Sequence, residues 1–284
     1  MRPVLGTCAL GVFVSAAGAE SFAPVEELPT VVISAAALNE DARELAATYS
    51  LLDGAELERA MRATLGDTLD GLLGVRADNF GGGSARPVIR GQGAPRVKVL
   101  SDSASLLDAS DISPDHAVTT EPLLVERIEV LRGPATLLYG SGAIGGVVNV
   151  LDRKIPESLP EEWIAGRFGL RGATVADERA LALQATTRLG DHFALHGEGA
   201  YRNAGDYRVP RRPARVQGSF AESANLAAGI SWVAERGFIG VAYSYRGDDY
   251  GLPGHRHEYD GCHSHGAVLH CGDLGHEEEG DHDP

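Results

Sequence analysis

Two neighbouring stretches, Arg179–Leu189 (RALALQATTRL) and His192–Arg202 (HFALHGEGAYR), decide how the second half of the chain is built. In the first, Leu181, Leu183, Ala185 and Leu189 alternate with Ala182, Gln184, Thr186 and Arg188. In the second, Phe193, Leu195 and Tyr201 alternate with His192, His196, Glu198 and Arg202. Successive side chains of a strand point to opposite faces, so each stretch reads as a strand with one apolar and one polar face. Gly190-Asp191 joins them as a tight turn.

The pattern recurs on both sides. In Trp163–Arg171, Ile164, Phe168 and Leu170 oppose Arg167 and Arg171. In Ser223–Val233, Leu226, Ala228, Ile230 and Trp232 oppose Ser223, Asn225 and Ser231. In Gly237–Arg246, Ile239, Val241, Tyr243 and Tyr245 oppose Gly240, Ser244 and Arg246. Strands of roughly ten residues with one apolar face match the wall of a transmembrane β-barrel. A soluble sandwich is the alternative, and the length and regularity of the strands favour the membrane. Short turns at 190–191 and 234–236 contrast with longer connections at 172–178, at 203–222 and after 246. Outer-membrane barrels keep short turns on the periplasmic side and long loops outside, which predicts an extracellular segment 247–284. Five antiparallel strands cannot close a barrel, and an open edge is not viable in lipid. The expectation is therefore a fragment, or a truncated reading frame, of a longer protein.

The 284 residues carry a net charge of −15, which argues against a nucleic-acid partner and suits cation capture. The N-terminus reads as a secretory signal, 1–19. Arg2 is its positive start, Val4–Val14 its apolar stretch, and Ala17-Gly18-Ala19 its small-residue cleavage site before Glu20. Cys8 would leave with it. Residues 20–37 are extended and β-branched, and residues 38–155 read as a small mixed α+β domain. Within that domain the pattern predicts a helix over 53–73 with Asp53 as N-cap. It also predicts strands at Pro87–Arg90, Arg96–Leu100, Arg127–Leu131 and Val147–Leu151, and a short helix at Glu121–Val125.

Four motifs follow one another in this domain: Thr68–Val75 (TLDGLLGV), Arg86–Gly91 (RPVIRG), Arg127–Pro134 (RIEVLRGP) and Leu138–Val150 (LYGSGAIGGVVNV). In this order they resemble the plug domain of TonB-dependent receptors. The resemblance covers nearly the whole mature chain. It implies an α+β plug domain followed by the first strands of an antiparallel transmembrane β-barrel, here truncated, of the roughly 22-stranded type. It also implies an outer-membrane site in a Gram-negative bacterium and contact with outer-membrane lipid. The implied partner is TonB with its inner-membrane energising complex. Leu28, Pro29, Thr30, Val31, Val32 and Ile33 match the TonB box by position and character, since an extended β-branched peptide can add a strand to a partner's sheet. In such receptors plug arginines like Arg90 and Arg132 are thought to pair with barrel carboxylates; an ordinary surface role is the alternative. The run Gly140–Gly145 also fits G-x-G-x-x-G, but a β-type run follows it rather than a helix, so nucleotide binding is set aside.

Seven of the ten histidines lie after Gly254. His255, His257, His263, His265 and His270 stand among carboxylates, with irregular spacings that suit several weak metal sites better than one closed tetrahedral site. A solvated, pH-sensitive loop is the alternative. Cys262 and Cys271 are read as a disulfide in an oxidising exterior, with two thiolate ligands as the alternative. The segment Leu252–His263 resembles the His-rich extracellular loop of the zinc-uptake receptors of the same family. Ser113–Val118 matches their plug zinc-binding stretch, which implies Asp115 and His116 as further ligands. His192 and His196 are read as polar lining. The cargo expected is a transition-metal ion, zinc first, with no catalytic cofactor and no enzymatic activity. Haem or a ferric siderophore is the rival cargo, and a non-transporting metal-binding surface protein the rival class. In the protein expressed from its native gene, Val32→Pro should abolish energised uptake and leave surface binding intact, because proline removes a ladder donor. Unchanged uptake by that variant would refute the TonB-box assignment.

Overall fold

The computed structural model describes residues 48–105, 108–113, 115–210 and 215–253, with two further strands at 262–265 and 268–271. The signal segment 1–19 and the TonB-box residues Leu28–Ile33 lie outside the described residues, as do His255 and His257.

The first part is a mixed α/β unit. β1 (Thr48–Asp53) leads into α1 (Gly54–Ala60) and α2 (Leu65–Leu69), followed by β2 (Val75–Asn79), β3 (Ala85–Ile89), β4 (Val97–Ser101) and β5 (Ala104–Ser105). A 3-10 turn at Pro122–Leu124 precedes β6 (Arg127–Arg132) and β7 (Gly146–Leu151). The main sheet runs β1-β6-β7-β4-β5, with β4 parallel to β7 and the other pairs antiparallel; β2 and β3 form a separate hairpin. Leu52, Leu57, Leu65, Leu69, Val97, Val99, Ile128, Val130, Val148 and Val150 make its core. β7 is buried along its whole length, which explains its valine-rich sequence, and its one polar side chain, Asn149, hydrogen-bonds to Ser103 and Glu129.

The helix expected over 53–73 is instead two short helices. Asp53 occupies the N-cap position but makes no side-chain cap bond. Met61 leaves the helical conformation, and Thr64 restarts it by accepting a hydrogen bond from the Asp67 N–H. A local cap wins over the periodic pattern here. The expected strands match β3, β4, β6 and β7 to within a few residues. The short helix is the Pro122–Leu124 turn with Glu121 as its N-cap. β1, β2 and β5 carry no clear alternation and escape the sequence pattern.

The second part is one antiparallel sheet, in the order β12-β11-β10-β9-β8. Its strands are β8 (Ile164–Ala173), β9 (Glu178–Leu189), β10 (Phe193–Ala204), β11 (Ala221–Ala234) and β12 (Gly237–Tyr250). The alternation is as expected. Ala180, Ala182, His196, Arg202, Ser223, Asn225 and Ser231 face the first domain and are buried. Phe168, Leu170, Leu183, Leu226, Ile239, Val241 and Tyr243 form an exposed outer face. So large a continuous apolar face is what lipid, not water, accommodates. The β8–β9 connection, 174–177, is shorter than the sequence suggested because both strands run further. β12 likewise continues to Tyr250 rather than ending at Arg246.

The two parts meet closely. Leu123 and Leu124 pack on Ala180, Ala182 and Ala200 of the wall. The linker after β7 crosses the inner face of β11 and β12. There a Cβ on Gly229 would collide with the Lys154 carbonyl oxygen, and one on Gly240 would sit 2.5 Å from Ile155 Cγ2. Gly229→Ala should therefore lower the folded fraction and cost about 1–3 kcal/mol of stability, as overpacking does. Gly197→Ala, with nothing within 4 Å of its Cβ position, should be close to neutral. Urea midpoints followed by heat-modifiable gel mobility check the pair, and equal midpoints would contradict this packing.

Candidate functional site

The segment 108–120 is suspended from several fixed points. Arg86 is 1% exposed and reaches from β3 to donate to Ser110 Oγ, to the Asp111 carboxylate, with which it is ion-paired, and to the Val97 carbonyl oxygen at 3.2 Å. Asp108 accepts from the Ser110 N–H at 2.8 Å, and from the Thr119 N–H and hydroxyl at 3.0 Å each. Burial alone would raise the Asp108 pKa; these hydrogen bonds outweigh it and hold the carboxyl below the usual carboxylate range. Between these anchors the chain turns sharply, with the His116 N–H donating to the Ser113 carbonyl oxygen at 3.2 Å and Ser113 Oγ bonded to the Asp115 carboxylate. Asp115 is half-buried and His116 exposed, so adjacent carboxylate and imidazole donors sit on a supported turn at the surface of the first domain.

Of the other expected ligands, His263, His265 and His270 fall in two short strands, while His255 and His257 lie outside the described residues. β13 (Cys262–His265) and β14 (Val268–Cys271) form a two-stranded antiparallel hairpin. Its register sets Cys262 opposite Cys271 and His263 opposite His270. Opposed residues in such a ladder have Cα atoms about 4.5–5.5 Å apart, inside the range a disulfide needs. Among the described residues no group of three or more His, Cys, Asp and Glu side chains converges as a metal site.

The expected arginines differ from one another. Arg90 is exposed, at a positive φ of 51° in the turn after β3. Arg132 is 4% exposed and donates to Ser50 Oγ at 2.9 Å; its Nε and Nη2 have no hydrogen-bond partner among the described residues. Burial, and then the nearby Arg90 charge, lower its pKa.

The charge pairing seen between the first domain and the wall has the opposite polarity. Glu121 projects from the first domain onto Arg202 of β10, with Oε1 2.6 Å from Nη2. Arg202 also pairs with Glu178 of β9, and Glu178 with Arg171 of β8 at 3.1 Å. Arg171 in turn donates to the Met61 carbonyl oxygen at 3.0 Å, and Arg167 to that of Val125 at 2.9 Å. His196 is buried on the inner face, bonded to Thr186 at 2.8 Å, and lines the interface as expected. His192 is instead exposed in the β9–β10 turn, with its ring 6.3 Å from that of Trp232. Glu121 could have been suspected from its place before Pro122, and Arg202 from its place on a polar face. Arg86 lies in a quoted motif but carries no local sign of burial.

Residues 41–147 match the model of the TonB-dependent receptor plug domain. The chain is 33% identical over 174 residues to the vitamin B12 transporter BtuB of Vibrio vulnificus (strain CMCP6), covering 60% of this chain and 28% of that protein. Among solved structures it resembles the copper transporter OprC, with a TM-score of 0.60 and 20% identity over 72% of this chain and 30% of that one. It also resembles the siderophore receptor PirA from Acinetobacter baumannii, with a TM-score of 0.56 and 19% identity over 72% of this chain and 32% of that one. The chain thus spans under a third of the length of these relatives. Its fold is a plug domain joined to strands of an antiparallel barrel wall. The chain is an outer-membrane protein of a Gram-negative bacterium, and the relatives it is similar to are transporters and receptors.

The plug joins the wall beside an acidic pair. Asp102, in the β4–β5 turn, accepts from the Asp152 N–H at 3.2 Å and the Arg153 N–H at 3.4 Å. Burial, and then the neighbouring Asp152 carboxylate, raise its pKa to about 7. A carboxyl whose pKa rises on folding stabilises the fold below its ordinary value of 3.8, and that contribution is lost as pH rises through about 7. Plug stability should therefore fall between pH 5 and pH 8, and Asp102→Asn should flatten that dependence. Thermal melts across this range test it, and a slope unchanged in the variant would contradict the assignment.

Proposed function

We propose that this chain provides the plug and part of the barrel wall of a TonB-dependent transporter that imports a transition-metal ion, zinc foremost. TonB, driven from the inner membrane, would act on Leu28–Ile33. The segment after Tyr250 would capture the ion outside the cell and the Asp115–His116 turn would receive it. No bond is made or broken in this role.

The observation that carries the reading is the concentration of seven histidines after Gly254. Neutral imidazoles with carboxylates suit zinc, whereas soft cuprous copper favours thioether and thiolate ligands. The only methionines are Met1 and Met61, so none lies in the histidine segment. A bridge between Cys262 and Cys271 would withdraw both thiols and hold the hairpin register. The named cargoes of the relatives, vitamin B12, copper and a siderophore, support a transporter and span several ligand classes. Orientation is argued from the wall: the connections at 190–192 and 235–236 are tight, and the 205–220 connection and the histidine segment leave from the opposite end. Arg90 and Arg132 remain proposed plug arginines for barrel carboxylates, beside the Glu121–Arg202 contact.

Imidazole ligands bind only when deprotonated, so capture should weaken as pH falls through roughly 6.5, the reference histidine value. A peptide spanning 251–284 should bind zinc near neutral pH and release it in mild acid. Replacing His255, His257, His263 and His265 with alanine should remove most of that binding. In cells the same change should slow zinc-limited growth and leave iron-limited growth unaffected. Growth that depends on the gene under haem or siderophore supply, and not under zinc restriction, would overturn the cargo assignment.

A further inference from the structure

A side chain of the wall reaches the turn that carries Asp115 and His116. Tyr250, the last residue of β12, accepts a hydrogen bond from the Ala117 N–H at 2.9 Å. Its hydroxyl donates to the Asp115 carbonyl oxygen at 3.3 Å. Those two backbone groups flank His116 on either side, so a single hydroxyl brackets the exposed imidazole. The contact joins residues 133 and 135 apart in sequence, whereas Arg86, Asp108 and Ser113, which also support the turn, belong to the plug.

The same tyrosine lies at the root of the histidine segment. A Cβ on Gly83 would fall 2.8 Å from Tyr250 Cγ, so the plug backbone runs directly against this residue. A Cβ on Gly81 would fall 2.7 Å from the Gly251 carbonyl oxygen and 2.9 Å from Pro253 Cδ, which extends the contact two steps along the outgoing chain. His255 follows five residues after Tyr250, within about 18 Å even for a fully extended chain. The root of the capturing segment and the receiving turn are therefore in direct contact.

Resting on the metal-ion reading above, we propose that Tyr250 is a positioning residue: its hydroxyl fixes the Asp115–His116 turn for cation binding and ties that turn to the root of the extracellular histidine segment. The physical basis is preorganisation. A carboxylate and an imidazole adjacent in sequence can meet one ion only in a restricted set of backbone conformations. Any freedom left in the turn must be lost on binding and is subtracted from affinity. Two hydrogen bonds to the backbone on either side of the imidazole remove that freedom beforehand.

The test uses the detergent-solubilised protein expressed from its native gene, with His255, His257, His263 and His265 replaced by alanine, so that zinc titration reports the plug turn. Tyr250→Phe keeps the ring against Gly83 and removes only the hydroxyl. It should weaken zinc at this turn about tenfold, the order expected for one to two lost hydrogen bonds. It should also speed amide exchange at Ala117, with heat-modifiable mobility unchanged. Tyr243→Phe, on the exposed outer face, should alter neither property. Faster exchange with unaltered zinc affinity would reduce Tyr250 to a structural contact and overturn the proposal, as would no change in either. A parent that holds no zinc at the turn would refute the metal-ion reading itself and this inference with it. That outcome is distinguished by its appearance before Tyr250 is altered.

Discussion

A cation on the inner face of a membrane wall has to be compensated from within, and Arg202 is compensated from two sides. Glu178 approaches along the wall and Glu121 from the plug, and all three side chains are buried. Removing ions from water costs several kcal/mol each, and mutual attraction offsets this only when the geometry is good and hydrogen-bonding capacity is used. Removing any one member would strand a buried charge. The arrangement therefore adds little net stability while making the plug's position against the wall specific. Around it the apolar contacts are small: leucines 123 and 124 on wall alanines, and linker backbone on Gly229 and Gly240. Small residues allow close approach, and charge selects which approach is made.

This division explains which parts of the fold were legible in the sequence. Strands β8 to β12 separate lipid from plug, so each position has one of two environments and the alternation states which. Only their ends were misjudged, because hydrogen-bonded pairing continues past the last alternating apolar residue, as at Ala173 and Tyr250. In the plug that clarity is lost. β7 is buried on both faces and shows no alternation, while β1 and β2 mix buried and exposed residues without a period. The break between α1 and α2 turns on the Thr64 cap, a feature a hydrophobic pattern does not register.

The residues proposed as ligands stand out in the sequence by type, whereas the contacts around the Asp115–His116 turn do not. Histidines and carboxylates announce metal chemistry by residue type alone. What holds the Asp115–His116 turn is different in kind. Arg86, Asp108 through Thr119, and Tyr250 act across 11 to 135 residues, and no local spacing encodes such pairings. Arg86 shows the difficulty well, since an arginine between two short apolar runs is usually solvated. Here it is buried because Ser110, Asp111 and the Val97 carbonyl converge on its guanidinium.

The same distribution of supports bears on how a cation could pass from one set of ligands to another. Capture outside the cell favours several weak ligand sets, since a single tight site would retain its ion. The irregular histidine spacing and the small β13–β14 hairpin suit that requirement. Reception favours the reverse, a few donors on a backbone already ordered, so that ordering is not charged against binding. The turn at Asp115 and His116 has that order, with an ion pair at one end, the Asp108 hydrogen bonds spanning it and a wall tyrosine bracketing the imidazole. Its hydrogen bonds from Tyr250 come from the wall. A pull that shifted the plug against β12 would bear on the Tyr250 bonds and not on those within the plug. Ordered reception and conditional release would then follow from a single contact.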